Sequence, residues 1–377
     1  MLKKITFKNW YCFNEEQEIN IYDNSEDSFK NINLIFGIPS SGKTAIFQLI
    51  KHTISYMKRW ISFKDDHILS NETMAQVFNP NINNDCVDEH QNFTEVSLEF
   101  DNNTFSYKYD LSFNQHYCLY EKLSYKINDV LDEWILLFDK QLIDYVDISN
   151  KIETIYETYV NCEELEVDYQ PTFKGVDQRD TVISYISNIS KAEHFKVLNK
   201  MLDKIIFYEE KDFLNFKDYF LPFEELRKQK ESVLELFEKN NVVFNDFDLG
   251  SLNKMTGKYT LNFFSYDETT GKSKILNSSK FSKGEIKLLI YLVLYNQLKK
   301  ENKIVFIDDF SLALSYENFF EILKSLEESI KQENGNFQLF LINNHFYNKV
   351  VDYNSEYINV FDVKKDELGN SEVNKKI

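Results

Sequence analysis

Eight consecutive residues, Gly37-Ile38-Pro39-Ser40-Ser41-Gly42-Lys43-Thr44, have the spacing G-x-x-x-x-G-K-[ST]. This pattern builds an anion site. Glycines let the backbone wrap tightly, so that successive N–H groups face one concavity. A helix that starts there adds its positive N-terminus. Lys43 is placed to reach the β- and γ-phosphates of a nucleoside triphosphate, and the Thr44 hydroxyl to coordinate Mg²⁺. Gly37, Pro39, Ser40, Ser41 and Gly42 supply the loop that surrounds the phosphates.

A second segment, Lys303-Ile304-Val305-Phe306-Ile307-Asp308-Asp309, sets four apolar residues before two acids. It reads as a buried strand that delivers carboxylates to a sheet edge, Asp308 to hold Mg²⁺ through water and Asp309 to polarise an attacking water. A core strand running into an acidic turn would look the same. The phosphate loop upstream, with helix and strand between, favours the chemical reading. About twenty residues earlier lies Ser279-Lys280-Phe281-Ser282-Lys283-Gly284-Glu285-Ile286-Lys287-Leu288-Leu289. Ser282 and Glu285 make a capping box, so this could be an ordinary helix start. Its place just before the acidic strand argues for a ligand role as well.

These residues need elements to hold them. Residues 3–8 and 17–22 alternate as strands do, with a turn at Asn14-Glu15-Glu16. Ile32–Phe36 is apolar throughout, as in a strand buried on both faces, and runs into the glycine loop. Thr44–Lys58 carries Ile46, Leu49, Ile50, Ile54 and Met57 at helical spacing. A polar loop over 78–92 is followed by strand patterns at 94–100, 104–110, 117–127 and 133–138, an antiparallel meander with a turn at Asp101-Asn102-Asn103. From about 140 to 240 the pattern becomes helical, without heptads long enough for a coiled-coil arm. A strand pattern returns at 258–266, and 283–299, 303–308, 316–331 and 337–342 alternate helix and strand. The expected fold is α/β: a mixed or parallel sheet carrying the phosphate loop, an antiparallel β-lobe, and a short helical insertion. The expected lobes are 1–140, 141–245 and 246–377.

Composition bounds the function classes. With 33 Phe and 23 Tyr in 377 residues there is ample material for a core. The net charge of −18 lowers the expectation of general nucleic-acid binding and suits a basic protein partner. Cys12, Cys86, Cys118 and Cys162 are scattered, without a CxxC pair, and read as free thiols of a reducing compartment. No signal-peptide core and no apolar run of about 18 residues is present, so a cytosolic protein without membrane spans is expected.

Taken in order, the motifs resemble those of ABC-type ATPases of the SMC/RecF/OLD branch. Phe281-Ser282-Lys283-Gly284-Glu285 is similar to the family signature, and LysLys-Ile-Thr-Phe-Lys-Asn-Trp over 3–10 is similar to its opening hairpin, which lies near the adenine. The meander looks like the family's β-lobe. The resemblance implies an ATPase head, ATP and Mg²⁺ as ligands, and a head dimer in which Ser282, Gly284 and Glu285 of one chain meet the γ-phosphate held by another. It also implies a switch histidine, for which His345 in FQLFLINNHF stands at the family's position. Three departures are visible. Asp309 stands where the family usually has Glu. Ser311–Ser315 lacks the usual acid of the D-loop. No clear Q-loop glutamine is found, Gln76 being the nearest.

Too few residues follow His345 for a C-terminal nuclease domain of the TOPRIM kind, so none is expected. The leading functional expectation is an ATP-gated sensor or scaffold that restrains a separately encoded toxic effector, as in bacterial anti-phage systems. The alternative is a RecF-like repair or recombination ATPase acting on DNA. A nuclease within 140–240 is a third and weaker reading, since no metal or histidine constellation is visible there.

Overall fold

The computed structural model describes residues 1–23, 28–62, 93–113, 118–128, 130, 133–148, 151–168, 182–183, 186, 190–208, 230–231, 234, 238, 246–253, 258–267, 272–277, 303–310, 316–333, 337–343 and 355–376. Its elements in chain order are β1 (Leu2–Lys8), β2 (Gln17–Asn20), β3 (Tyr22–Asp23), β4 (Ser28–Phe29), β5 (Ile32–Gly37), α1 (Lys43–Ser62), β6 (Thr94–Asp101), β7 (Phe105–Phe113), β8 (Cys118–Ile127), β9 (Ile135–Ile148), β10 (Lys151–Val160) and α2 (Glu193–Asp203). There follow β11 (Ile205–Tyr208), β12 (Asp246–Asn253), β13 (Lys258–Asp267), β14 (Lys272–Asn277), β15 (Ile304–Ile307), α3 (Tyr316–Glu333), β16 (Gln338–Asn343), β17 (Ile358–Lys365) and β18 (Ser371–Lys375). The class is mixed α/β, with antiparallel and parallel ladders, as expected.

The chain forms two compact units: Met1–Ile205 together with Ile358–Ile377, and Ile206–Tyr357. The C-terminal strands β17 and β18 belong to the first unit.

In the first unit, seven antiparallel strands run in the order β10-β9-β8-β7-β6-β1-β2. Alternation explains the core: Ile5, Phe7, Leu98, Phe100, Tyr107, Tyr109, Leu111 and Leu123 are buried at every second position. The β6–β7 turn is built as its residues predict. Asn103 has φ 74, Asp101 accepts from its N–H at 2.7 Å, and Asn102 Oδ1 accepts from Phe105 N at 2.6 Å. The helical pattern expected from about 140 is corrected here. Residues 135–148 and 151–160 are strands, paired from Ile148↔Lys151 to Phe138↔Val160, and in their Ile/Tyr/Val/Thr content the β-formers outweigh the helical spacing. Helix appears at α2, which buries Phe195, Leu198, Met201 and Leu202.

α2 presents His194 to an aromatic set on the sheet. Tyr125 lies 4.2 Å away, Phe105 5.2 Å and Tyr107 5.9 Å, centroid to centroid. The Tyr107 hydroxyl is 3.2 Å from His194 Nδ1, and Glu164, which accepts from Tyr125 at 2.7 Å, is 4.0 Å from Nε2. Burial lowers the His194 pKa, against the opposing pull of Glu164 and Glu193.

The same unit holds the phosphate-loop strand. β5 pairs in parallel with β17, and β17 pairs antiparallel with β18. The sequence pattern does not mark β17, although Ile358, Val360, Phe361 and Val363 are all buried. A polar pair helps fix its register: Asn359 Nδ2 donates to Asn33 Oδ1 at 2.9 Å across the ladder, and a slip would break this buried hydrogen bond.

In the second unit, β15 and β16 pair in parallel, with β11 on the other side of β15. Phe207, Phe306 and Phe340 stack across these strands at 5.0 and 4.2 Å. α3 buries Phe319, Ile322, Leu323, Leu326 and Ile330, the spacing of a one-faced helix. β12, β13 and β14 form a separate antiparallel sheet. The expected helix over 283–299 lies outside the described residues.

Candidate nucleotide site

β5 is buried along Ile32–Phe36 and then releases the chain into the loop, where Ile38, Pro39 and Ser40 are exposed. Two left-handed residues shape the turn, Ser40 at φ 65 and Gly42 at φ 100. Ser41 N donates to Ile38 O at 3.2 Å, and Ile46 N to Gly42 O at 3.1 Å, where α1 begins.

Both glycines are required by contact. A Cβ at Gly37 would lie 2.4 Å from the Val363 carbonyl oxygen and 2.5 Å from Ser41 Oγ. At Gly42 it would lie 2.6 Å from Cys12 Sγ and 2.7 Å from the Phe13 ring, on a backbone that L-residues rarely adopt. The loop is thus pressed against β17 on one side and against the turn after β1 on the other. That turn is itself tightly made. Trp10 and Phe13 exchange backbone hydrogen bonds at 3.0 and 2.9 Å, and the buried Trp10 donates Nε1–H to Ala45 O at 2.7 Å in the first turn of α1.

Lys43 is buried, and its ammonium donates to Gly37 O at 2.9 Å, to Ile38 O at 2.7 Å and to Ser41 Oγ at 3.2 Å. A lysine carries three donors, and here they tie the first residues of the loop around one positive charge. Gly37, Ser41, Gly42 and Lys43 are therefore brought together, with Thr44 exposed at the helix start. This geometry fits a polyphosphate: a concave backbone too tight for any side chain, a buried cation at its centre, and a 20-residue helix pointing its N-terminus at it.

The acidic pair belongs to the second unit. Ile304–Ile307 is buried at every position, and Asp308 follows at 8% exposure. Asp308 N donates to Tyr208 O at 3.0 Å, Asp308 Oδ1 accepts from Asp309 N at 3.1 Å, and Phe310 N donates to Ile342 O at 3.3 Å. Asp309 stands in the left-handed region at φ 50. The strand thus ends in a tight turn that carries two carboxylates, as the residue pattern implies. Ser282, Gly284, Glu285, His345, Gln76 and Ser311–Ser315 lie outside the described residues. Among the described residues no cluster of His, Cys, Asp and Glu with metal-binding geometry occurs, and no helix is long and apolar enough to cross a membrane. Cys12, Cys118 and Cys162 are in no disulfide, and burial pushes the Cys118 thiol up to about 12.

Sequence reasoning missed what braces the loop. Val363, Cys12 and Phe13 carry no motif, and only the close approach of their atoms to Gly37 and Gly42 reveals them; Trp10 ends the opening segment over 3–10, and its bond to Ala45 O shows that it also braces α1.

No family model matches the chain, and no curated protein matches it. Among solved structures, one of the recombination mediator RecF with ATPrS is 14% identical, covering 100% of this chain and 98% of that one, at a TM-score of 0.38. A dimeric ATP-binding cassette in a post-hydrolysis state with ADP and Pi is 12% identical, covering 96% of this chain and 94% of that one, at a TM-score of 0.31. Likenesses this loose carry no weight, and the nature of the site stands on the loop and strand geometry above.

Proposed function

We propose that this chain is an ABC-type ATPase that binds ATP with Mg²⁺ at Gly37–Thr44. The observation that carries the reading is the loop itself: Lys43 held by three loop acceptors between two glycines that no other residue could replace. The loop N–H groups and Lys43 bind and orient the phosphates. Thr44 and Asp308 would hold the metal, which when bound offsets charge on the phosphate oxygens. Asp309 accepts a hydrogen bond from the attacking water. The tight turn after β15 sets where its short carboxylate can lie. His345, as switch residue, and Ser282, Gly284 and Glu285 of a second chain complete the assignment on motif grounds. The test is direct. Lys43→Ala loses ATP binding by calorimetry, whereas Asp309→Ala still binds ATP but does not release phosphate. Turnover by Asp309→Ala at the wild-type rate removes Asp309 from the mechanism.

On the biological role, the reading we favour is an ATP-gated scaffold for a separately encoded effector in anti-phage defence, supported by the net charge of −18 and its fit to a basic partner. A RecF-like ATPase on DNA is the second reading, supported by the order of the sequence motifs. ATPase assays with and without duplex DNA separate them: stimulation by DNA selects the second.

A further inference from the structure

The β17–β18 hairpin reaches past its sheet. Parallel pairing ends with Val363 opposite Gly37, so Lys364 and Lys365 extend beyond the carboxyl end of β5, the side of a parallel sheet where ligands bind. Lys364 is drawn to Asp362 at 3.8 Å. Lys365 turns to the loop: its Nζ lies 3.5 Å from the Ser40 carbonyl oxygen, and its Cε passes 3.6 Å from where a Cβ at Gly369 would stand. Ser40 is the exposed crown of the loop, held at φ 65.

The turn that carries Lys365 is braced. Asp366 N donates to Asn370 O at 2.8 Å, Gly369 N to Asp366 O at 3.2 Å, and Asn370 N to Asp366 Oδ1 at 2.7 Å. Ser371 N donates to Cys12 O at 2.7 Å, and Asn14 Nδ2 donates to Asn370 Oδ1. The hairpin end is thereby fastened to the same turn that presses on Gly42. Two cations of different character flank one loop: Lys43, buried and saturated by loop acceptors, and Lys365, exposed at the crown with its ammonium free to move by a rotamer change.

We propose that Lys365 is a second polyphosphate-binding cation of this site, acting by its charge on the outer phosphates of a bound nucleoside triphosphate. This rests on the nucleotide reading above. A solvated ammonium acting across several ångströms on a multiply charged anion alters affinity by about 3- to 10-fold at low salt, and less as salt screens it.

The test measures binding of Mg-ATP and Mg-ADP by calorimetry at low and high salt to wild type, Lys365→Arg, Lys365→Gln and Lys365→Glu, with thermal melting to check folding. The expected result is near-wild-type binding for Arg, a several-fold loss for Gln and a larger loss for Glu. The losses are greater for ATP than for ADP and shrink in high salt. Unchanged ATP binding in the Gln and Glu variants overturns the proposal. So does an equal loss of ATP and ADP that Arg does not rescue, which would make Lys365 a brace of the loop and not a phosphate cation. Wild-type protein that binds neither nucleotide refutes the nucleotide reading itself, a distinct outcome.

Discussion

Two residues show how backbone conformation selects side chains at this site. Gly42 combines φ 100 with sub-van-der-Waals room toward Cys12 and Phe13. Gly42→Ala therefore adds left-handed strain of about 1–2 kcal/mol to a clash that moves the turn after β1. It should lower the melting temperature by several degrees and abolish ATP binding; a variant with wild-type melting and affinity would show that the loop relaxes freely. Asp309 is the mirror case. At φ 50 it occupies a region where Asp and Asn are several-fold enriched over other non-glycine residues. An Asp rather than a Glu at this position thus has a local physical reason, the turn that follows β15. The motif residues were legible in the sequence because their roles need fixed types at fixed spacing. The residues that press on them were not, since a Val carbonyl or a Phe ring edge leaves no pattern.

At the scale of elements, periodicity located β1, β5, α1, β6, β7, β8, α3 and β16 closely. It failed where two signals competed. Over 141–160 apolar residues recur at spacings compatible with either period, and pairing of β9 with β10 decided for strand. β17 went unmarked because a short apolar run far from any motif has no partner in sight until the chain folds. The packing of α2 makes a prediction of its own. Burial of His194 among Phe105, Tyr107 and Tyr125 disfavours its charged form, with Glu164 and Glu193 pulling the other way. Its folded pKa lies below the ordinary histidine value of about 6.5, so the unfolded chain takes up the proton first. The contribution to stability is complete above that value and is lost as pH falls through it. Melting temperature should therefore fall between about pH 7 and 5, and more steeply in wild type than in His194→Phe. Parallel pH profiles would mean that His194 is not the group responsible.

At the scale of the molecule, the proposed function requires two chains. If Ser282, Gly284 and Glu285 of one head complete the site of another, Asp309→Ala, which binds ATP without consuming it, should accumulate as a dimer. Light scattering with Mg-ATP should show about twice the monomer mass, reverting when nucleotide is removed, and Lys43→Ala should remain monomeric throughout. A dimer whose population ignores ATP would separate assembly from the nucleotide.

The pairing of β5 with β17 has a consequence for how this molecule is made. Asn33 and Asn359 meet across 326 positions of sequence, with the whole second unit spliced between them. Closing so long a loop carries a larger entropic cost than a local hairpin and slows folding, since non-local pairs must form before they stabilise anything. During synthesis the loop residues Gly37–Thr44 leave the ribosome before Val363 and the hairpin that press on them, which follow some three hundred residues later. The loop at Gly37–Thr44 and the strand that braces it are far apart in sequence and reach their final form only when the two meet.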